Sequence, residues 1–129
     1  GKSFVMNIAI ASILLLVGFL NFYPLIGLQG SARLAALYGL SVDGADLAIL
    51  MRHRALMFGL VGGFIMSAAF VPEWRGLAFA AGFISMLGFV ALAWAEGGYN
   101  GFVAKVVMAD IVGSLALLVA LVLHLSRTD

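Results

Sequence analysis

Four long apolar segments, separated by short polar or glycine-containing stretches, make up most of the chain. They cover about residues 4–28, 45–71, 77–95 and 102–125. At roughly 1.5 Å per helical residue, each is long enough to cross a hydrocarbon core of about 30 Å. The first is also too long and too uninterrupted for the core of a signal peptide. The pattern therefore predicts four transmembrane helices in a single domain that covers residues 1–129.

The connections between the segments predict how the helices are arranged. Gly27 and Gly30 end the first segment, and residues 32–40 could form a short helix at the membrane interface. Asp43 is expected to cap the second helix, and Pro72 is expected to stop it. The second connection is short, so the helices on either side of it should pack antiparallel. The predicted fold class is all-α, an integral membrane four-helix bundle with up-down-up-down topology.

Composition supports this class and excludes several others. The chain is 64% hydrophobic and only 10% charged, with a mean hydropathy of +1.17, whereas soluble domains carry about 25% charged residues. A net charge of +1 gives no basic stripe for nucleic acid. The absence of cysteine excludes disulfides and thiolate catalysis. No phosphate-binding glycine loop, GxSxG or HExxH is present, so no motif names a metal or a cofactor.

Four strongly polar residues fall within or at the ends of the apolar segments: Asn21, Arg52, Glu96 and Asp110. Counted from the helix ends on the side of the termini, all four lie roughly 22–28 Å along their helices. They should therefore share one layer, displaced toward the side of the first and third loops. Because a charge in hydrocarbon costs a few kcal/mol, an ionisable residue within a span is a candidate functional residue.

The helical facing of these residues supports their convergence. At 100° per residue, Arg52 shares a face with Gly59 and Gly63, and small residues allow close approach of membrane helices. The other three polar residues also share faces with small residues of their own helices. Arg54 and Lys105 point elsewhere, so we expect these side chains to extend toward lipid head groups.

The candidate site residues follow from this layer. The catalytic candidates are Asp110 and Glu96 as acid or base groups, and His53, since imidazole exchanges protons near neutral pH. Pro24 should kink the first helix beside the layer and open the bundle there. The ligand-binding candidates lie in the layer or near this opening; they are Arg52, Arg54, Asn21, Tyr23, Tyr99 and Asn100.

A structural interpretation of the same residues stays open. Arg52 could form an ion pair with Asp110 or Glu96 that only fixes the register of the helices. Glu96 could instead be an ordinary loop charge, and His53 an ordinary interfacial residue. These alternatives require no ligand.

Several short motifs resemble those of a known group of proteins. They are Ala-Ala-Leu-Tyr-Gly at 35–39, Ile-Leu-Met-Arg-His-Arg-Ala at 49–55, Gly-Gly-Tyr-Asn at 97–100, and Asp110 in the fourth segment. Together they resemble the small four-helix bacterial membrane proteins of the DoxX-like group, over most of the chain. Some members of that group are associated with quinone-linked oxidoreductases, but most have no assigned function. The resemblance therefore implies the fold more than an activity.

Three functions are compatible with a polar layer of this kind. The chain could bind a quinone, an isoprenoid, a lipid or a membrane partner. It could be an intramembrane isomerase or oxidoreductase acting on a lipophilic substrate, with Asp110 or Glu96 as acid or base and Arg52 stabilising negative charge. It could also be a small dimeric transporter, because four helices enclose little volume.

The expected location is a bacterial inner membrane, crossed several times. If Arg52 and Arg54 belong to a buried site, the remaining lysines and arginines slightly favour cytoplasmic termini. Trp74 and Trp94, near opposite ends of the third segment, suit the two interfaces. The expected partners are membrane lipid, a hydrophobic small molecule, and either a second copy of the chain or another subunit of a membrane complex, with no nucleic acid.

Overall fold

The computed structural model describes residues 2–23 and 44–127, apart from the side chains of residues 2 and 127. This part of the chain contains four long α-helices and no strand. Each helix is long and apolar enough to cross a membrane, which confirms the predicted all-α class and the four helices. The helices are α1 (Lys2–Phe22), α2 (Ala45–Ala68), α3 (Arg75–Glu96) and α4 (Gly101–Arg127), and a 3-10 turn (Pro72–Trp74) precedes α3.

The limits of the helices differ from the predicted ones by a few residues. α2 ends at Ala68, because Pro72 lacks an N–H and begins the 3-10 turn instead. α3 starts at Arg75, which the sequence pattern assigns to a loop, and extends to Glu96. Gly97 then ends α3 with a φ of 65°, a backbone conformation that glycine adopts without steric cost.

Some predictions lie outside the described residues. They concern residues 24–28 of the first segment, the interfacial helix at 32–40, the kink at Pro24 and the cap at Asp43. In the structure, Gly44 occupies the N-cap position of α2, and no side chain caps that helix.

The four helices enclose one apolar core. α1 and α3 each contact both α2 and α4, so the helices follow one another around the bundle in chain order. The largest core side chains come from all four helices: Ile10, Leu14 and Val17 from α1, Ile65 from α2, Phe79 and Met86 from α3, and Leu117 from α4. The outer surface is also apolar, with Ile84 75% exposed and Trp94 85% exposed.

α1 and α2 approach each other most closely at two glycines, Gly18 and Gly62. A Cβ atom added to Gly62 would lie 2.5 Å from the carbonyl oxygen of Gly18 and 2.7 Å from the Cα atom of Phe22. A Cβ atom added to Gly63 would have no neighbour within 4 Å. The prediction that Gly63 lies on the close-approach face is therefore wrong, and the contact runs through the adjacent residue.

Arg75 is the most deeply buried charged side chain of the described residues, with 1% exposure. Its guanidinium donates to the carbonyl oxygens of Ala68 (3.3 Å) and Ala69 (2.9 Å), and to Oδ1 of Asn7 on α1 (2.6 Å). Carbonyls at a helix C-terminus lack partners within the helix and carry partial negative charge. Arg75, which the predicted segments leave in the connection between two helices, therefore caps α2 and ties it to α1.

Candidate ligand-binding cavity

A cavity of about 410 Å³ lies between the helices, near the end of the bundle where α2 and α4 begin. This volume is within the usual range of roughly 300–1,000 Å³ for small-molecule sites. Its polar lining residues are Asn21, Tyr23, Arg54, Lys105 and Asp110. Its apolar lining consists of four phenylalanines, Phe19, Phe58, Phe89 and Phe102, together with Leu16, Leu20, Val106 and Ala109.

Asn21 forms a buried polar wall of the cavity and is only 3% exposed. Its Nδ2 donates to the carbonyl oxygen of Val17, one turn earlier in α1, at 2.9 Å. Its Oδ1 accepts a hydrogen bond from Oγ of Ser85 on α3 at 2.6 Å. These two bonds fix the orientation of the amide and connect α1 to α3 across the bundle.

Asp110 is the buried carboxylate of the cavity, with 8% exposure. It lies on α4 one turn before Gly113 and Ser114, which are also buried. A Cβ atom at Gly113 would lie 2.7 Å from Sδ of Met86 and 2.8 Å from Cδ2 of Leu20. The missing side chain of Gly113 therefore lets α4 pack closely enough to hold the carboxylate inside the bundle.

Arg54 is the cation of α2 that lines the cavity. Its guanidinium carbon lies 4.5 Å from the ring centre of Phe58 and 5.5 Å from that of Phe89. Both distances are within the range of cation–π attraction. Arg54 and Asp110 both line the cavity, so α2 and α4 each bring a charged side chain to it.

The facing predicted for the two arginines of α2 is therefore wrong. Arg52 is exposed and does not line the cavity, whereas Arg54 does. α2 packs on α1 through Gly62 in place of Gly63. Since neighbouring residues of a helix lie roughly 100° apart around its axis, the face of α2 that meets α1 differs from the predicted one by about that angle.

Lys105 also lines the cavity, contrary to the prediction that it extends toward head groups. Its Nζ lies 5.5 Å from the ring centre of Phe102. The sequence did contain a signal for this position of Lys105. Its spacing from Phe102, Ala109 and Asp110 places all four residues on one broad face of α4. The sequence analysis did not predict the phenylalanines of the cavity, because an aromatic residue that lines a cavity cannot be distinguished by sequence from the other apolar residues of a span.

The remaining candidates lie outside the cavity lining. Arg52, His53 and Glu96 are exposed, and so is Tyr99. Asn100 caps α4, because its Oδ1 accepts the backbone N–H of Val103 at 2.9 Å. Among the predicted ligand-binding residues, Asn21 of α1 and Tyr23, which follows α1, do line the cavity, and Asp110 is the catalytic candidate that lines it.

The described part of the chain contains no cluster of side chains that could bind a metal ion. No group of three or more His, Asp or Glu side chains there could hold a metal ion. What the cavity offers is charge, one amide and aromatic rings, a combination that can bind and orient a ligand with both a polar and an apolar part.

No family model, no curated protein and no solved structure matches this chain. The resemblance to the DoxX-like group therefore stays a prediction.

Proposed function

We propose that the chain is a multi-pass membrane protein that binds a hydrophobic or lipid-like small molecule in the cavity between its helices. The observation that carries this proposal is the lining, in which Asn21, Arg54, Lys105 and Asp110 lie among four phenylalanine rings. Polar groups placed in an otherwise apolar cavity fix the orientation of a ligand that is itself mainly apolar. Quinones, isoprenoids and lipids have this character.

Insertion in a membrane is supported by the outer surface of the bundle. Large apolar side chains are exposed on every described helix, such as Phe4 on α1, Leu60 on α2, Ile84 on α3 and Leu115 on α4. Soluble monomers rarely expose contiguous apolar patches of this extent. Trp74 and Trp94 near the two ends of α3 suit the interfaces.

The up-down-up-down topology is supported by two contacts between α1 and α3. Asn7 near the start of α1 meets Arg75 at the start of α3, and Asn21 near the end of α1 meets Ser85 farther along α3. α1 and α3 therefore run in the same direction, as alternate helices of such a bundle do. We place the protein in a bacterial inner membrane, as the resemblance to the DoxX-like group implies.

Binding is favoured over catalysis by the positions of the candidate acid and base groups. The enzyme hypothesis places two carboxylates around Arg52, but Arg52 and Glu96 do not line the cavity. Asp110 alone of the proposed catalytic residues is present there. A single carboxylate beside two cations suits recognition of a polar group.

The test is to purify the protein in mild detergent and identify co-purified small molecules by mass spectrometry. We expect a stoichiometric amphiphile in the wild type. It should be lost in Ala109→Trp, which places a large ring in the cavity, and reduced in Arg54→Ala. Ala104→Trp, on an exposed position of α4, and Arg52→Ala, on an exposed position of α2, are the matched controls and should retain it.

Two outcomes would overturn the proposal. One is a folded wild-type protein that contains no small molecule in any preparation and takes up none when incubated with total bacterial lipid. The other is a bound molecule that both tryptophan variants retain equally, since the ligand would then lie outside the cavity.

A further inference from the structure

The hydrogen bonds of Asn21 fix the orientation of its side-chain amide, which has two N–H donors and one carbonyl oxygen. Nδ2 donates to the carbonyl oxygen of Val17 at 2.9 Å, and Oδ1 accepts from Oγ of Ser85 at 2.6 Å. Because a backbone carbonyl oxygen only accepts, the atom that faces Val17 must be the nitrogen. The carbonyl oxygen of the amide therefore faces Ser85, and the hydroxyl of Ser85 is the donor in that contact.

The second N–H of Asn21 is not used by these two contacts. Among the described residues it has no hydrogen-bond partner, although Asn21 is only 3% exposed. Buried N–H groups without a partner are rare in folded proteins, and rarer than carbonyl oxygens that accept fewer bonds than they could. Because Asn21 lines the cavity, a ligand there can supply the acceptor that this N–H requires.

The apolar part of the lining makes this donor selective. Most of the cavity lining consists of phenylalanine rings and aliphatic side chains. In such surroundings a hydrocarbon group placed against Asn21 would leave the N–H unsatisfied, at the full cost of its desolvation. An oxygen acceptor at the same place removes this cost and forms a hydrogen bond that the low dielectric strengthens.

Resting on the proposed function, we infer that the ligand is an amphiphile with a carbonyl oxygen, as in a ketone or an ester, which accepts the second N–H of Asn21. The bond from Ser85 holds the amide in the orientation that this contact needs. The apolar part of the ligand lies against the phenylalanine rings of the lining.

The test compares two probes of nearly the same shape. One is methyl undecyl ketone, and the other is its hydrocarbon isostere, in which a methylene group replaces the carbonyl oxygen. The protein is placed in nanodiscs of ether-linked phosphatidylcholine, whose lipids carry no carbonyl, and empty nanodiscs are the blank. At equal mole fraction in the bilayer, the ketone should bind about tenfold more tightly than the isostere, because only the ketone satisfies the N–H.

A pair of asparagine substitutions assigns this preference to Asn21. Asn21→Leu removes the amide and should make the ketone and the isostere bind equally. Asn7→Leu is the matched control, because it also removes a hydrogen bond between α1 and α3 but lies outside the cavity lining. It should keep the preference of the wild type. The ratio of the two affinities is the readout, since a general change of cavity shape would alter both probes together.

An infrared measurement on the wild-type protein tests the hydrogen bond without any substitution, and so does not depend on the folding of Asn21→Leu. The carbonyl stretch of the bound ketone should lie at lower frequency than that of the same ketone in dodecane, because a hydrogen bond weakens the C=O bond. A bound ketone with the frequency that it has in dodecane would overturn the inference.

The outcomes separate this inference from the proposed function. If the wild type binds both probes equally and Ala109→Trp abolishes their binding, the cavity binds lipophilic molecules but the carbonyl acceptor is refuted. If the ketone is preferred and the preference persists in Asn21→Leu, another group binds the oxygen and the role of Asn21 is refuted. If neither probe binds above the empty nanodiscs, the proposed function fails as well.

Discussion

The contact between Gly18 and Gly62 makes a quantitative prediction about the packing of α1 on α2. We consider Gly62→Ala, which adds one methyl group, and Gly63→Ala, which adds the same group to the next residue of the same helix. Both substitutions remove one glycine from α2, so the intrinsic helix propensity changes equally. The two variants differ only in what the new methyl group meets.

At position 62 the methyl group would meet backbone atoms of α1. It would lie 2.5 Å from the carbonyl oxygen of Gly18, 2.7 Å from the Cα atom of Phe22, and also against the backbone nitrogen of Phe22. These separations are about 1 Å shorter than the optimal 3.5–4.0 Å for carbon contacts. Backbone atoms cannot rotate away, so α1 and α2 must separate and lose contacts along their length.

The expected cost of Gly62→Ala is about 2–3 kcal/mol, at the upper end of the usual range for overpacking. At position 63 the methyl group would have nothing within 4 Å, so Gly63→Ala should change stability by less than about 0.5 kcal/mol or stabilise slightly. The free energy of unfolding is measured by titrating each variant from mild detergent into dodecyl sulfate and following helicity by circular dichroism. Equal stabilities for the two variants would refute the packing argument.

Three further predictions concern polar contacts. Arg75→Met should lower the free energy of unfolding by about 3 kcal/mol, because buried carbonyls of α2 lose their donor; Arg52→Met, at an exposed position, is the control, and equal losses would contradict this role. A double-mutant cycle of Asn21→Ala and Ser85→Ala should give a coupling of about 0.6–1.7 kcal/mol, and additive effects would argue against the hydrogen bond. Asn100→Ala should destabilise the first turn of α4 by about 1 kcal/mol, because the side-chain cap is lost. Hydrogen exchange of the Val103 amide should then be faster, and an unchanged exchange rate would contradict the cap.

The limits of the helices could be predicted well because they depend on local chemistry. Pro72 lacks a backbone N–H and Gly97 tolerates a positive φ, and both effects operate wherever these residues occur. Of the four residues of the predicted polar layer, Asn21 and Asp110 lie in the cavity lining, whereas Arg52 and Glu96 do not.

The rotation of each helix about its axis was not predictable in the same way. Arg52 and Arg54 are two residues apart, so they point to nearly opposite sides of α2, and the rotation of α2 about its axis decides which of them faces inward. The sequence offered Gly59, Gly62 and Gly63 as possible contact positions, and Gly62 lies about 100° around the helix from Gly63. Only the fit of α1 against Gly62 decided among them.

The sequence by itself determined that the chain is all-α, with four helices each able to cross a membrane, because segment length, hydropathy and helix-breaking residues act locally. The tertiary structure decided which polar residues meet. It brought Arg54, Lys105 and Asp110 to one cavity, left Arg52 and Glu96 exposed, and buried Arg75 against the end of α2. The physical reason is that apolar residues surround every helix of this bundle, so hydrophobicity does not specify an inner face. Close packing at a few small residues then specifies it instead.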